Sequence, residues 1–330
     1  MSREKFAVIG SNSFSGANFV AHLLKANTEV IGISRSPEPA DVFLPYKWIS
    51  NNGFHFYQLD LNYDLEKIMN VIEEFHPDYI VSFAAQSMVA QSWVRPEDWF
   101  MTNIVAMVKF HDQLRRCTFL KKYVHISTPE VYGNITGLIK EDTLYKPSTP
   151  YAVSRASCDM SLHSFFKAYN FPVVFIRAAN VCGPGQQLYR ILPKTIISIL
   201  LGKKLKLEGA GSSMRSFIHI RDVCDGTFKV AEQGRSGEVY HLATDRYVSI
   251  RQLVQMVCQM MGVSFENYVE IVPTRLGEDA AYMLDSRKAR TELDWPTVFS
   301  LEDTIAETIE WVKSKLHILK MQPMEYVHKR

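Results

Sequence analysis

A chain of 330 residues, 47% hydrophobic and 22% charged, is long enough for a large core and predicts two domains, or one large domain with a smaller lobe. A net charge of +2 gives no nucleic-acid footprint, and no apolar run approaches a bilayer span, so neither nucleic acid nor membrane is an expected partner. Five scattered cysteines (Cys117, Cys158, Cys182, Cys224 and Cys258) with no CxxC pair read as reduced thiols of a cytoplasmic protein, not as a disulfide frame or a metal site.

The opening MSREKFAVIG reads as leading straight into a strand, without signal-peptide architecture. Lys5–Gly10 is that strand. The turn GSNSFSG follows, and ANFVAHLLKAN has a helical period. Strand, glycine turn and helix open a dinucleotide-binding unit, because free N–H groups and partial positive charge at a helix N-terminus accept a pyrophosphate. The spacing is Gly10-x-x-Ser13-x-x-Gly16, with Phe14 at the helix start and serine where the fingerprint has its middle glycine. Thr28–Ser34 is the second strand. An NAD-type unit ends it in an acid that holds the ribose 2′-hydroxyl. Here it ends in Ser34-Arg35-Ser36, a hydroxyl and a guanidinium suited to a 2′-phosphate. NADP(H) is therefore the expected cofactor, with NAD the alternative.

Phe54–Leu59 is a third strand, and the Asp60-Leu61 pair that follows it can meet an adenine. A helix spans 65–75. Asp78–Ala84 is a buried fourth strand, running into the small residues Ala84-Ala85 and then Gln86-Ser87, which let a backbone approach a cofactor. Pro96–Arg116 has helical periodicity. Lys122–Ile126 is a fifth strand and delivers Ser127, Thr128 and Glu130. Tyr151–Tyr169 is the next helix and Pro172–Arg177 the sixth strand. Strands and helices alternate, which predicts an α/β, Rossmann-type doubly wound parallel sheet over residues 1–180, with sheet contributions from later segments. Ligands bind at the carboxyl ends of such strands, where Gly10, Ala84, Ser127, Thr128 and Asn180 all fall. After Asn180 short strands and helices mix, so 181–330 reads as a smaller mixed α/β substrate lobe. Its helices fall near 192–201, 223–233, 250–261 and 300–316, with short strands near 206–208, 216–220 and 238–242. Arg190, Lys194, Arg215 and Arg275 lie near turns there and suit a diphosphate if they share a wall; the alternative for each is an ordinary surface charge.

Tyr151 and Arg155 lie one helical turn apart, so both side chains would point into one cleft. A cation beside a phenol stabilises the phenolate, which is how a tyrosine serves as a general base near neutral pH. The alternative is a strand end, a loop and an ordinary surface Tyr–Arg pair.

The motifs GSNSFSG, FAAQS, STPEVYG, PYAVSR, ANVCGPGQ, YRILPK, MRSFIHIRDV and RLGEDAAYMLDSRKARTELDW, together with Asp60-Leu61, resemble the extended short-chain dehydrogenase/reductases that modify nucleotide sugars. Within them the chain is similar to the NDP-sugar 4,6-dehydratases, of the dTDP-glucose and GDP-mannose types, over nearly its whole length. The resemblance implies a nicotinamide held tightly and regenerated each cycle, and a nucleotide-diphosphate sugar as substrate. It implies that Tyr151 deprotonates the C4 hydroxyl, that Thr128 or Ser127 binds the C4 oxygen, and that Glu130 takes the C5 proton as the C6 hydroxyl leaves. Ser87, Asn180, Arg190, Lys194, Arg215 and Arg275 would hold substrate. Two departures stand out. Arg155 replaces the family's lysine, and Pro129 stands where dTDP-glucose dehydratases carry an aspartic acid; GDP-mannose dehydratases lack that acid too. A 4-epimerase or C4 dehydrogenase of the same family, which needs no Glu130, and a non-catalytic nucleotide-binding relative are the alternatives. The family also implies a homodimer paired through helices 96–116 and 151–169, with Met107, Phe110, Met160 and Phe165 as candidates to face the partner.

Overall fold

A computed structural model describes residues 3–50, 53–135, 137–273 and 283–329. Seven strands form one fully parallel sheet, in the order Val239–Leu242, Val173–Ala178, β5 (Lys122–Ile126), β4 (Tyr79–Ser82), β1 (Lys5–Ile9), β2 (Glu29–Ser34) and β3 (Phe54–Gln58). The direction of strand addition reverses between β1 and β4, and that is where an open α/β sheet leaves its crevice.

Alternation along β1 shows why the sheet is covered on both faces. Phe6 and Val8 point into one apolar layer with the first helix, α1 (Phe14–Lys25), while Ala7 and Ile9 point into the other with the helices Leu65–Phe75 and Met107–Leu114. A third apolar cluster, around Leu192, Ile196, Leu253, Val257, Ile305 and Trp311, is the core of the smaller lobe. Short sheets complete that lobe: Met214–His219 pairs with Asn180–Cys182 and Tyr247–Ser249, and Leu205–Glu208 with Val269–Val272.

Two elements differ from the sequence reading in their placing. The strand near 238–242 is the seventh strand of the large sheet, in parallel register with Val173–Ala178, because VYHL is buried at every position and needs cover on both faces. The stretch 96–116 is not one α-helix. Pro96–Phe100 and Met107–Leu114 flank a π-helical segment, Met101–Ala106. In that segment Asn103 is fully buried: its Nδ2 donates to Gln86 O (3.0 Å) and Ser154 Oγ (2.9 Å), and its Oδ1 accepts from Gln86 N (2.8 Å). Asn103 thus ties the β4 loop to the helix Pro150–Tyr169. Met107 and Phe110 are buried in the chain's own core and so face no partner, because their side of the helix packs on the sheet; Phe165 is partly buried against the same core. Met160 is exposed, as are Phe100, Met101 and Val105.

Candidate active site

At the β1 end the backbone is shaped for a close approach. Gly10 has φ +83°, and a Cβ on it would lie 2.7 Å from Ala84 N. A Cβ on Gly16 would overlap Gly10 O. Ser13 caps α1, its Oγ accepting from Gly16 N at 3.0 Å, so serine at the fingerprint's middle position holds the turn by its side chain. A cavity of about 500 Å³ opens here. Gly10, Asn12 and Ser13 line it at β1, Ser34, Arg35 and Ser36 at β2, Asp60 and Leu61 at β3, and Ala84 and Ala85 at β4. That is the size of a small-molecule site. A glycine cradle too tight for a Cβ, at a helix N-terminus, fits a dinucleotide's pyrophosphate. Phe14 is buried and packs in the core beneath the turn.

Two of the expected cofactor contacts are committed locally. Ser34 Oγ accepts from Asn12 N at 3.0 Å and lies 3.4 Å from Ser11 Oγ, so it braces the glycine turn. Asp60 Oδ1 accepts from both the backbone N–H (2.8 Å) and the side-chain amide (3.0 Å) of Asn62.

The hydroxyl and carboxylate cluster lies at the β5 end. Thr128 opens a short 3₁₀ turn, Pro129–Tyr132, and its Oγ1 accepts from Glu130 N at 3.3 Å. The helix Pro150–Tyr169 is capped by Thr149, whose Oγ1 accepts from Ala152 N at 3.1 Å, and Ser92 Oγ accepts from Tyr151 N at 3.2 Å. These caps fix Tyr151 against the β5 loop. Thr128, Glu130, Arg155 and Arg190 all act on its phenol electrostatically. Burial and the nearby Glu130 carboxylate raise its pKa, and together they outweigh the opposing pull of Arg155, Thr128 and Arg190.

Arg155 corrects the expectation of a Tyr–Arg pair sharing an open cleft. It is 2% exposed. Its Nη2 donates to Ile126 O and lies 3.1 Å from His125 Nε2, beneath the β5 end. The guanidinium turns inward because a carbonyl and an imidazole there satisfy a buried cation. Nη1 is also buried, with no hydrogen-bond partner among the described residues. Ser127 is drawn into the same layer: its Oγ donates to Asp159 Oδ2 at 2.7 Å, leaving Thr128 as the hydroxyl beside Tyr151. Asp159 in turn pairs with Arg177 at 2.9 Å, both fully buried, and Arg177 also reaches the Tyr132 and Tyr145 hydroxyls. This buried layer was not foreseen. Its signal was polar residues alternating with apolar ones on strands otherwise buried on both faces.

The expected substrate residues come from several elements. Arg190 is the N-cap of the helix Ile191–Leu200 and lies near Tyr151. Asn180 and Arg215 are on paired strands, and Arg215 Nη1 donates to Met214 O at 2.8 Å. Lys194 pairs with Glu325 at 2.8 Å, so its charge is met by the C-terminal segment. Ser87 is exposed. Arg275 lies outside the described residues. No helix among the described residues is long and apolar enough to cross a membrane, and among them no cluster of three or more His, Cys, Asp or Glu could hold a metal.

Comparison with known proteins matches the GDP-mannose 4,6 dehydratase family over residues 8–308. The dTDP-glucose 4,6-dehydratase of Streptomyces antibioticus is 32% identical over 317 residues, 93% of this chain and 91% of that protein. The crystal structure of Bacillus anthracis dTDP-glucose 4,6-dehydratase in complex with NAD is similar with a TM-score of 0.87 and 27% identity, covering 96% of this chain and 99% of the other. The Thermotoga maritima UDP-glucose 4-epimerase with UDP-glucose is similar with a TM-score of 0.86 and 26% identity, over 94% and 99%. Dehydratases and epimerases are thus both close in structure.

Proposed function

Because the chain belongs to the GDP-mannose 4,6-dehydratase family, within the extended short-chain dehydrogenase/reductases that modify nucleotide sugars, we propose that it is a nucleotide-sugar 4,6-dehydratase yielding an NDP-4-keto-6-deoxy sugar. The observation that carries this reading is the Glu130 carboxylate close enough to Tyr151 to act on its phenol, on the turn that Thr128 opens. An elimination needs a second base next to the tyrosine that serves C4, and an epimerase does not.

Bound nicotinamide supplies the hydride acceptor at C4 and the hydride donor at C6. Tyr151 takes the C4 hydroxyl proton. Thr128, beside Tyr151, steadies the C4 oxygen. The resulting 4-ketone acidifies C5–H; Glu130 removes that proton and passes it to the departing C6 hydroxyl, which leaves as water, and C5 takes up one solvent proton once C6 is reduced. Tyr151 is protonated at rest, since burial and Glu130 keep its proton on. It gives up that proton more readily when positive charge is added nearby, and oxidised nicotinamide carries such a charge. Arg155 contributes to this field from inside the protein, while holding the β5 end in place.

In this reading residues 1–180 hold the dinucleotide and 181–330 the nucleotide sugar, with Asn180, Arg190 and Arg215 toward its diphosphate and nucleoside. The dinucleotide is NADP(H), since Arg35 and Ser36 line the cavity where an NAD site carries a carboxylate; NAD, held by the Bacillus anthracis relative, is the alternative. Free cysteines suit a cytoplasmic enzyme. The exposed apolar residues Phe100, Met101, Val105 and Met160 on two neighbouring helices are the surface for a homodimer. A 4-epimerase is the second reading, favoured by the likeness to the Thermotoga maritima enzyme.

Mass spectrometry of a nucleotide-sugar panel incubated with the protein and both cofactors in D2O tests the proposal. Loss of one water with gain of one solvent deuteron supports the dehydratase. A new isomer at unchanged mass makes it an epimerase.

A further inference from the structure

The last described residues return to the dinucleotide cleft. Gln322, Pro323, Glu325, Tyr326, Val327 and Lys329 form part of the same cavity wall as Gly10, Ser13, Arg35 and Ala84. The segment is fastened at both sides of the cleft. On the lobe side Glu325 pairs with Lys194 at 2.8 Å, and the Tyr326 ring meets Tyr189 edge-on at 5.4 Å. On the sheet side His328 Nε2 lies 2.7 Å from Asp98 Oδ2, with its ring stacked on Trp99 at 5.0 Å. Gln86 Nε2 donates to Lys329 O at 2.7 Å, and Lys329 Nζ donates to Ser36 Oγ at 3.3 Å.

We propose that residues 321–329 are a strap that closes over the bound nicotinamide dinucleotide and keeps it on the protein between turnovers. The proposal rests on the reading of this cleft as the dinucleotide site. Three features favour a strap over a plug. A cavity of about 500 Å³ remains beneath the segment, which walls it without filling it. Its one acid, Glu325, is neutralised by Lys194, so it brings no unpaired negative charge to a pyrophosphate. Its terminal Lys329 adds a cation at the end of β2, beside the Arg35–Ser36 rim that would meet the adenosine ribose. Tyr326 stands where both Arg35 and Arg190 act on it, at the junction of the dinucleotide cleft with the substrate side. Anchors on both walls must open together before a ligand beneath them leaves, so the strap acts on the dissociation rate more than on association.

The test uses the full chain, a truncation after Lys320, and the full-length His328→Ala variant, which loses the Asp98 pair and the Trp99 stack while keeping the rest of the segment. Each is loaded in turn with NADPH and with NADH, and release is followed by nicotinamide fluorescence after adding excess oxidised dinucleotide. The expected result is release roughly tenfold faster from the truncated protein and about threefold faster from His328→Ala, with unchanged thermal unfolding of the dinucleotide-free proteins. Equal release rates in all three proteins overturn the strap while leaving the dinucleotide site intact. Slower release or tighter binding after truncation also overturns it and makes the segment an autoinhibitory plug. If the full chain binds neither dinucleotide, the reading of the cleft itself falls, and the strap with it.

Discussion

Arg155 Nη2 lies 3.1 Å from His125 Nε2, inside the protein and away from the open cleft. A guanidinium only donates, so Nε2 accepts and the imidazole is neutral. Its 3.4 Å approach to Asp159 Oδ1 is then a packing contact and not an ion pair. Burial and the Arg155 charge push the His125 pKa down to about 4, in agreement. The family's lysine position has thus become a fixed cation of the floor beneath the site. It spans from the helix carrying Tyr151 to the end of β5, where its planar fork meets both the Ile126 carbonyl and the His125 imidazole.

Arg155→Lys therefore tests structure and chemistry separately. Losing one or two buried hydrogen bonds, each worth about 1 kcal/mol, lowers the melting temperature by roughly 2–4 °C per kcal/mol in a chain of this size. A cation stays near Tyr151, so turnover of the substrate identified by mass spectrometry stays within about threefold of wild type. Turnover that appears only in the variant instead identifies the native chain as a non-catalytic nucleotide-binding relative.

The large sheet was legible because its strands are apolar runs punctuated by glycine and small residues, and the alternation with helices leaves few topologies. Lys122–Ile126 matches the observed strand end for end. The last strand, Val239–Leu242, was legible as a strand, but pairing with a strand some 60 residues earlier is not written in its letters. Helical spacing put Tyr151 and Arg155 on one face correctly, yet could not say that Arg155 would bend inward, because its acceptors, Ile126 O and His125, come from another element. The same holds for Ser127, whose partner Asp159 is 32 residues away. The segment 321–329 carried no periodicity or motif. Its role in the cleft comes from side-chain contacts with Gln86, Asp98 and Lys194, which no local pattern encodes.

Glu130→Gln separates dehydratase from epimerase. The amide keeps the size of the carboxylate and removes the base, so water loss falls by roughly a hundredfold or more. C4 oxidation persists, and reduced nicotinamide builds up, visible by its near-ultraviolet absorbance. Unchanged water loss removes Glu130 from the chemistry. Losing the carboxylate also removes the charge that raises the Tyr151 pKa, so the oxidation half-reaction of the variant titrates at lower pH than that of wild type.

Asp159→Asn breaks the buried charge layer. Asp159 and Arg177 are both fully buried at 2.9 Å, and Arg155 adds a second buried cation nearby. Removing the one carboxylate leaves both guanidinium groups without their counter-charge, which costs about 3–5 kcal/mol. Urea unfolding reads this as a lower midpoint at an unchanged slope. A midpoint close to wild type means that solvent or a shifted side chain replaces the carboxylate.

Acid stability follows from the buried histidines. His125 is lowered to about 4 by burial and Arg155, and His241 to about 3 by burial and Arg177, while burial lowers His111 and His219 as well. His241 Nδ1 donates to Asp285 O at 3.2 Å, and its Nε2 meets the Tyr132 hydroxyl at 2.7 Å, which fixes the neutral ring. Below the ordinary histidine value of 6.5 the unfolded chain takes up these protons and the folded one does not. Stability is thus full above about pH 6.5 and falls as pH drops toward 4, by roughly 1.4 kcal/mol per pH unit for each histidine once well below 6.5. Asp159 works in the same direction at lower pH: its depressed pKa contributes stability that is lost only below the ordinary aspartate range. The midpoint of urea unfolding should therefore decline already between pH 6 and 5, and His241→Gln should flatten that decline. A midpoint constant down to pH 4.5 would mean that the buried imidazoles are charged in the folded protein.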